Sequence, residues 1–159
     1  AVPVRVTRQD DHAMELDTIA VDESLLVGGV WWDFHTKVPC SPRTAPHDSH
    51  LCFLVVPYGN DHARALDDLR APHLDEVRRN KGRLPDDVVC AIRGAALART
   101  VLKGWANAEL GGDPLPFSVA KAEELLSSPK WTLLRQFIES AASNEYAILQ
   151  EEKAAAEKN

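Results

Sequence analysis

The sequence predicts an α+β fold, in which an N-terminal antiparallel β-sheet of about four strands precedes a C-terminal bundle of about four helices. Residues 1–59 contain short runs of β-branched and aromatic residues separated by glycine and proline. After Gly59, apolar residues recur every three or four positions, as they do along one face of a helix. We expect a single domain over residues 1–159, with a β-rich part at 1–59 and a helical part at 60–159.

The β-rich part divides into strands at its glycines and prolines. Residues 2–6, VPVRV, alternate apolar and polar side chains and predict a strand. Gly28-Gly29 predicts a hairpin turn within residues 24–35, SLLVGGVWWDFH. Residues 36–50 contain several prolines and predict a long loop. Residues 51–59, LCFLVVPYG, are nearly all apolar and predict the central, most buried strand.

The helical part shows start and stop signals at most of its boundaries. We predict a helix over residues 60–82 that Pro72 splits or kinks. The strongest helical pattern covers residues 84–105, where Gly104 is placed to end the helix. Ser118 is predicted to cap a short helix, and Ser128 followed by proline is predicted to open the last one. We expect the tail at 150–159 to fray unless a partner covers it.

Composition excludes several classes of partner. The net charge is −6, whereas a broad nucleic-acid surface needs an excess of lysine and arginine. No apolar run reaches the length of about 18 residues that a membrane span requires. The first residues, AVPVRV, lack the basic and apolar regions of a signal peptide. We therefore expect no nucleic-acid partner, no membrane partner and a cytoplasmic location.

The motifs of common enzymes are not found in the sequence. It contains no phosphate loop, no nucleophile elbow and no His-Glu-x-x-His. Asp33 and His35 are two positions apart and would share one face of a strand, but no nucleophile accompanies them. We expect a protein that is not an enzyme and that needs no cofactor.

One group of residues resembles a metal site by composition. Cys40, His47, His50 and Cys52 lie within or beside the long loop, and all four are zinc-ligand types. Their spacing, Cys-x6-His-x2-His-x-Cys, matches no established zinc motif. Because Cys52 lies in an apolar strand, a buried core thiol is the simpler interpretation. We favour the interpretation without a metal and keep a zinc-stabilised module as the alternative.

Residues 98–144 carry a resemblance to a known family. A Leu-x-x-Trp element at 102–105 precedes a glycine turn at 111–113, a Pro-Phe-Ser helix start at 116–118 and a Leu-Leu-x-x-Pro break at 125–129. In this order the elements resemble the C-terminal half of bacteriophage tail assembly chaperones and related small tail-morphogenesis proteins of long-tailed phages. The order Gly-Gly-Asp departs from the commoner Asp-Gly, and the loop at 36–50 has no counterpart in that family.

The resemblance implies a non-enzymatic role in the host cytoplasm during phage assembly. Tail assembly chaperones bind the long helical tape measure protein, help to recruit tail tube subunits and are normally absent from the finished virion. An alternative function is that of a structural protein of the head, connector or tail that stays in the virion and binds neighbouring subunits. Self-association of the chain is a further interaction that the sequence leaves open.

The resemblance also implies roles for particular residues. Trp105 would pack the end of the long helix against the last two helices, in a structural corner. Gly111 and Gly112 would allow positive φ in that corner, and Ser118 would start the next helix.

The partner-binding surface would include the final helix. Its aromatic residues Trp131, Phe137 and Tyr146 are the predicted anchors, because aromatic side chains often dominate the energy of protein interfaces.

Overall fold

The structure is a computed structural model that describes residues 28–144. The strand predicted at 2–6, the first arm of the hairpin predicted around Gly28-Gly29, and the tail at 150–159 lie outside the described residues. Within the described range the fold is α+β, as the sequence predicts.

The main sheet has three antiparallel strands in the order β1–β2–β3. They are β1 at Val30–Asp33, β2 at Cys52–Val55 and β3 at Leu102–Ala106. The central strand, β2, pairs with both neighbours and is mostly buried, which confirms the prediction for the apolar run at 51–59. A second, two-stranded sheet is formed by β4 at Glu109–Leu110 and β5 at Asp113–Pro114.

The position of β3 corrects one prediction. The sequence assigned residues 102–105 to the end of the helix predicted at 84–105, but that helix stops at Thr100 and the chain continues as a strand. In this segment Leu102 and Gly104 are buried while Lys103 between them is exposed, which is the period of a strand. The pairing with β2 also satisfies backbone groups that would otherwise form an open sheet edge.

The helices follow the predicted boundaries closely elsewhere. The predicted split at Pro72 is confirmed, because a 3₁₀ turn at Ala71–His73 separates the first two helices. A 3₁₀ turn at Pro129–Trp131 opens the last helix, as the Ser128-Pro129 signal predicts. The helices are α1 at Asn60–Arg70, α2 at Leu74–Arg79, α3 at Asp86–Thr100, α4 at Val119–Leu126 and α5 at residues 132–144. Within residues 28–144, no helix combines the length and the apolar character that crossing a membrane requires.

One core joins the sheet to the helices. It combines large side chains from the strands with small and aliphatic ones from the helices, namely Trp32, Phe53, Val55, Leu97, Ala98, Val101, Leu102, Ala122, Leu126, Ile138, Ala141 and Ala142. The small residues allow the helices to approach closely. The closest approach is at Gly94 of α3, where an added Cβ would lie 2.6 Å from the backbone nitrogen of Ser127 and closer still to the carbonyl group of Leu126.

We predict that Gly94→Ala destabilises the protein by about 2–3 kcal/mol, because the new methyl group collides with backbone that cannot rotate away. This loss exceeds the gain of about 1 kcal/mol that alanine normally brings to a helix interior. Urea denaturation measures the difference. The matched control is Gly28→Ala, where an added Cβ meets no heavy atom within 4 Å. Equal or greater stability of the Gly94 variant would contradict the close contact.

Candidate functional site

A β-hairpin forms the corner that follows β3. Gly111 and Gly112 have φ values of 63° and 88° and connect β4 to β5, where Leu110 pairs with Asp113. Two positive φ values in a two-residue loop are the requirement of a type I′ turn, in which residues with side chains are strained. The predicted positive φ at both glycines is confirmed, although they turn a hairpin and not a connection between two helices.

Trp105, a residue of β3, connects the sheet to the segment that follows the hairpin. Its indole Nε1 donates a hydrogen bond of 2.7 Å to the carbonyl oxygen of Leu115, and its ring meets Phe117 edge-on with centroids 4.8 Å apart. Trp105 therefore holds the corner from a different place in the fold than the sequence predicts. The ring extends from β3 and fastens the segment after the hairpin to the sheet, whereas the sequence placed it at a helix end. Ser118 follows, and its Oγ accepts the backbone N–H of Lys121 at 3.1 Å, which confirms the predicted start of α4.

An apolar pocket of about 70 Å³ lies behind the corner. Nearly all of its walls are apolar, and they come from the sheet, the hairpin, α4 and the start of the last helix. The lining residues are Leu51, Phe53, Trp105, Ala108, Glu109, Leu110, Leu115, Leu125, Trp131 and Leu134. Leu110 is 40% exposed, so one wall of the pocket is also open surface.

A larger, open groove of about 660 Å³ adjoins the pocket. The groove and the pocket share Trp105, Ala108, Glu109 and Leu115 in their walls. The groove is also lined by Asp48 and Ser49 of the long loop and by Asn107, Pro114, Pro116 and Phe117. Its charged residues, Asp48 and Glu109, are both acidic.

The three predicted partner anchors have different surroundings. Trp131 lines the apolar pocket and is half-buried. Phe137 packs inside the protein against Phe34 and Phe53, with ring centroids at 5.0 and 5.9 Å. Because those contacts occupy much of its ring, Phe137 stabilises the fold, and its role as an anchor stays a prediction. Tyr146 lies outside the described residues.

A second cluster lies at the far end of β1, where the long loop returns to the sheet. The Asp33 carboxylate is fully buried. Its Oδ2 accepts hydrogen bonds from Nδ1 of His47 at 2.5 Å and Nδ1 of His50 at 2.7 Å. Its Oδ1 accepts the backbone N–H groups of His35 and Thr36 at 2.7 and 3.0 Å. Each oxygen of this carboxylate therefore accepts two hydrogen bonds.

These hydrogen bonds keep Asp33 ionised. Burial by itself raises the pKa of a carboxyl group, but the hydrogen bonds from His47, Thr36, His50 and His35 outweigh burial and hold the pKa of Asp33 far below its ordinary value of 3.8. Since an ionised carboxylate can only accept hydrogen bonds, both histidines carry a proton on Nδ1.

Cys40 of the long loop and Cys52 of β2 form a neighbouring thiol pair. The Sγ atoms of Cys40 and Cys52 are 3.6 Å apart, and both thiols are free. Burial, the hydrogen bond to Cys52 and the nearby charge of Asp33 raise the pKa of Cys40 to about 12, and burial also raises the pKa of Cys52. Both groups are therefore protonated at neutral pH.

The structure does not bring the four residues of the alternative zinc set, Cys40, His47, His50 and Cys52, together as one cluster. Within residues 28–144, the residues whose ligand atoms all lie within 4.8 Å of one another are Asp33, His47 and His50, and the two cysteines are not among them. The sequence drew attention to Asp33 only through its spacing from His35. The signal that it missed is an aspartate at the end of a strand followed by a turn, where the side chain accepts the next backbone N–H groups.

Comparison with families of known proteins identifies the family of this chain. Residues 58–159 match the family described as YdaY prophage protein. Because this match spans more than half of the sequence, the chain belongs to that family and is of phage origin. The matched region includes the hairpin corner and both tryptophans of the pocket, but it does not include Asp33, His47 or His50. No curated protein and no solved structure matches the chain.

We predict that Asp33→Asn destabilises the protein by about 3 kcal/mol at pH 7, since two partly buried imidazoles lose a buried, charged acceptor. Because the pKa of Asp33 is lowered in the folded protein, its contribution to stability is complete above its ordinary pKa of 3.8. That contribution is lost as the pH falls from 3.8 toward the pKa of the folded state. The difference in free energy of unfolding between wild type and variant should therefore become smaller below pH 3.8. Urea denaturation at successive pH values measures it. The control is Asp48→Asn, an exposed aspartate of the same loop. If the Asp33 and Asp48 variants have the same free energy of unfolding, Asp33 does not anchor the loop.

Proposed function

We propose that this chain is a non-enzymatic phage tail assembly protein of the chaperone type, which binds a helical segment of the tape measure protein during virion morphogenesis. The observation that carries this proposal is the apolar pocket at the hairpin corner. Apart from Leu51 and Phe53, its lining residues belong to the segment that resembles tail assembly chaperones. Membership of a prophage protein family supports a phage role in general.

The shape of the site suits an amphipathic helix. The pocket has room for about two water molecules at ~30 Å³ each, which fits a single small apolar side chain inserted from a partner. The adjoining groove is open and could hold the flanking residues of that partner. An apolar anchor in a pocket, with neighbouring positions along an open groove, is the usual mode of helix recognition. Trp131 and Leu110 are the residues that such an anchor would contact.

Charge favours a basic partner segment. Asp48 and Glu109 lie in the groove, and the chain carries a net charge of −6. A helix with lysine or arginine beside its apolar face would therefore associate faster at low salt. Tail tube subunits and further copies of this chain are additional partners in this proposal. The strongly exposed Leu133 beside the pocket residues is available for such contacts.

We predict that Leu110→Ser and Trp131→Ala each weaken binding to the tape measure protein of the same phage by about tenfold or more, because each removes a pocket wall. Calorimetric titration of purified proteins measures the dissociation constants. The matched control is Leu74→Ser, since Leu74 is 51% exposed in α2 and is not among the residues that line the pocket. Circular dichroism checks that all variants fold. Unchanged binding by the folded Leu110 variant would refute the pocket as the docking site.

A further inference from the structure

The cluster at the end of β1 has the composition and geometry of a metal site. Two imidazole nitrogens and one carboxylate oxygen, from His47, His50 and Asp33, lie within 4.8 Å of one another. We propose that these three residues bind one divalent transition-metal ion, with zinc as the ion that suits this donor set best. The site differs from the Cys-His-His-Cys set that the sequence suggests by residue type, and it does not depend on the proposed tail assembly function.

The distances require only a small adjustment. Ligand atoms at about 2.0–2.1 Å from a tetrahedral zinc ion lie roughly 3.3 Å from one another. The Nδ1 atoms of His47 and His50 are 2.5 and 2.7 Å from Asp33 Oδ2, so each would move outward by less than about 1 Å to admit the ion. His47 lies in a single 3₁₀ turn, and His50 is the residue that caps this turn. Rotation of these loop side chains can supply the movement.

The donor atoms suit a metal ion of intermediate hardness, such as zinc. Because a metal ligand must be an unprotonated nitrogen, binding through Nδ1 would replace its hydrogen bond to Asp33, and each imidazole would stay neutral with its proton on Nε2. Neutral imidazole and carboxylate are ligands that zinc accepts readily, and a carboxylate with two histidines recurs in zinc and iron sites. A divalent cation would also balance the charge of the buried Asp33 carboxylate. Among the described residues, the ion pairs of Asp33 are formed with these two histidines and with no lysine or arginine.

Groups outside the ligand set already hold the ligands in place. The backbone N–H groups of His35 and Thr36 bind Oδ1 of Asp33, which leaves Oδ2 directed at the histidines. Asn107 Nδ2 donates to the carbonyl oxygens of His47 and His50, at 3.3 and 2.9 Å. Such outer hydrogen bonds orient the ligands of metal sites. The histidine side chains are about one-fifth exposed, so a fourth coordination position can be filled by water.

Metal binding would have a consequence for the groove. Asp48 and Ser49 lie between the two histidine ligands in sequence and line the groove. An ion held by Asp33, His47 and His50 would fix the long loop to β1 and thereby fix these two lining residues.

The test is a titration of the full chain with Zn²⁺ after removal of metal with a chelator. We expect one equivalent to bind and to raise the melting temperature. His47→Gln and His50→Gln should each weaken binding by about tenfold or more. His73→Gln is the matched control, since His73 pairs with Glu76 at 3.5 Å and lies outside the proposed ligand set, so the variant should leave binding within twofold. Cys40→Ser should also keep binding within twofold.

A cobalt spectrum identifies the ligands without any variant. Co²⁺ at this site should show absorption typical of nitrogen and oxygen ligands, with no thiolate charge-transfer band. This measurement stands even if a histidine variant fails to fold. Absence of stoichiometric binding would overturn the proposal. A thiolate band, or loss of binding in Cys40→Ser with retention in His47→Gln, would also overturn it.

Discussion

The pairing of β2 with strands on both of its edges is the constraint on which both candidate sites depend. The register aligns Asp33, Cys52 and Ala106 across one end of the sheet. Because of this alignment, the long loop returns to β2 beside the Asp33 carboxylate, and Asn107 follows β3 close enough to bond the loop carbonyls. The next row aligns Trp32, Phe53 and Trp105, which places the Trp105 ring at the hairpin corner. A change of register would separate the members of both sites.

The features that the sequence predicts correctly are those that depend on neighbouring residues. The helix break at Pro72, the cap at Ser118 and the positive φ at Gly111 and Gly112 each follow from the chemistry of one or two positions. The central strand is also predictable, because its residues are apolar on both faces.

The features that the sequence misses depend on distant partners. The segment 102–106 continues the apolar spacing of α3, and only the open edge of β2 makes it a strand. Asp33 is joined to histidines 14 and 17 positions away, which spacing along the chain does not reveal. The apolar pocket likewise combines segments as distant as Leu51 and Leu134, so the sequence could suggest Trp131 as an anchor without indicating what surrounds it.

The proposed role in tail assembly is tested most directly by mass spectrometry of mature phage particles induced from a lysogen, with the lysate analysed in parallel. Copy number is estimated against the major capsid and tail tube proteins. An assembly chaperone leaves the tail before maturation, so we expect this chain to be abundant in the lysate and absent from purified particles. A reproducible, stoichiometric count in the particles would contradict that role and would identify the chain as a structural component of the virion.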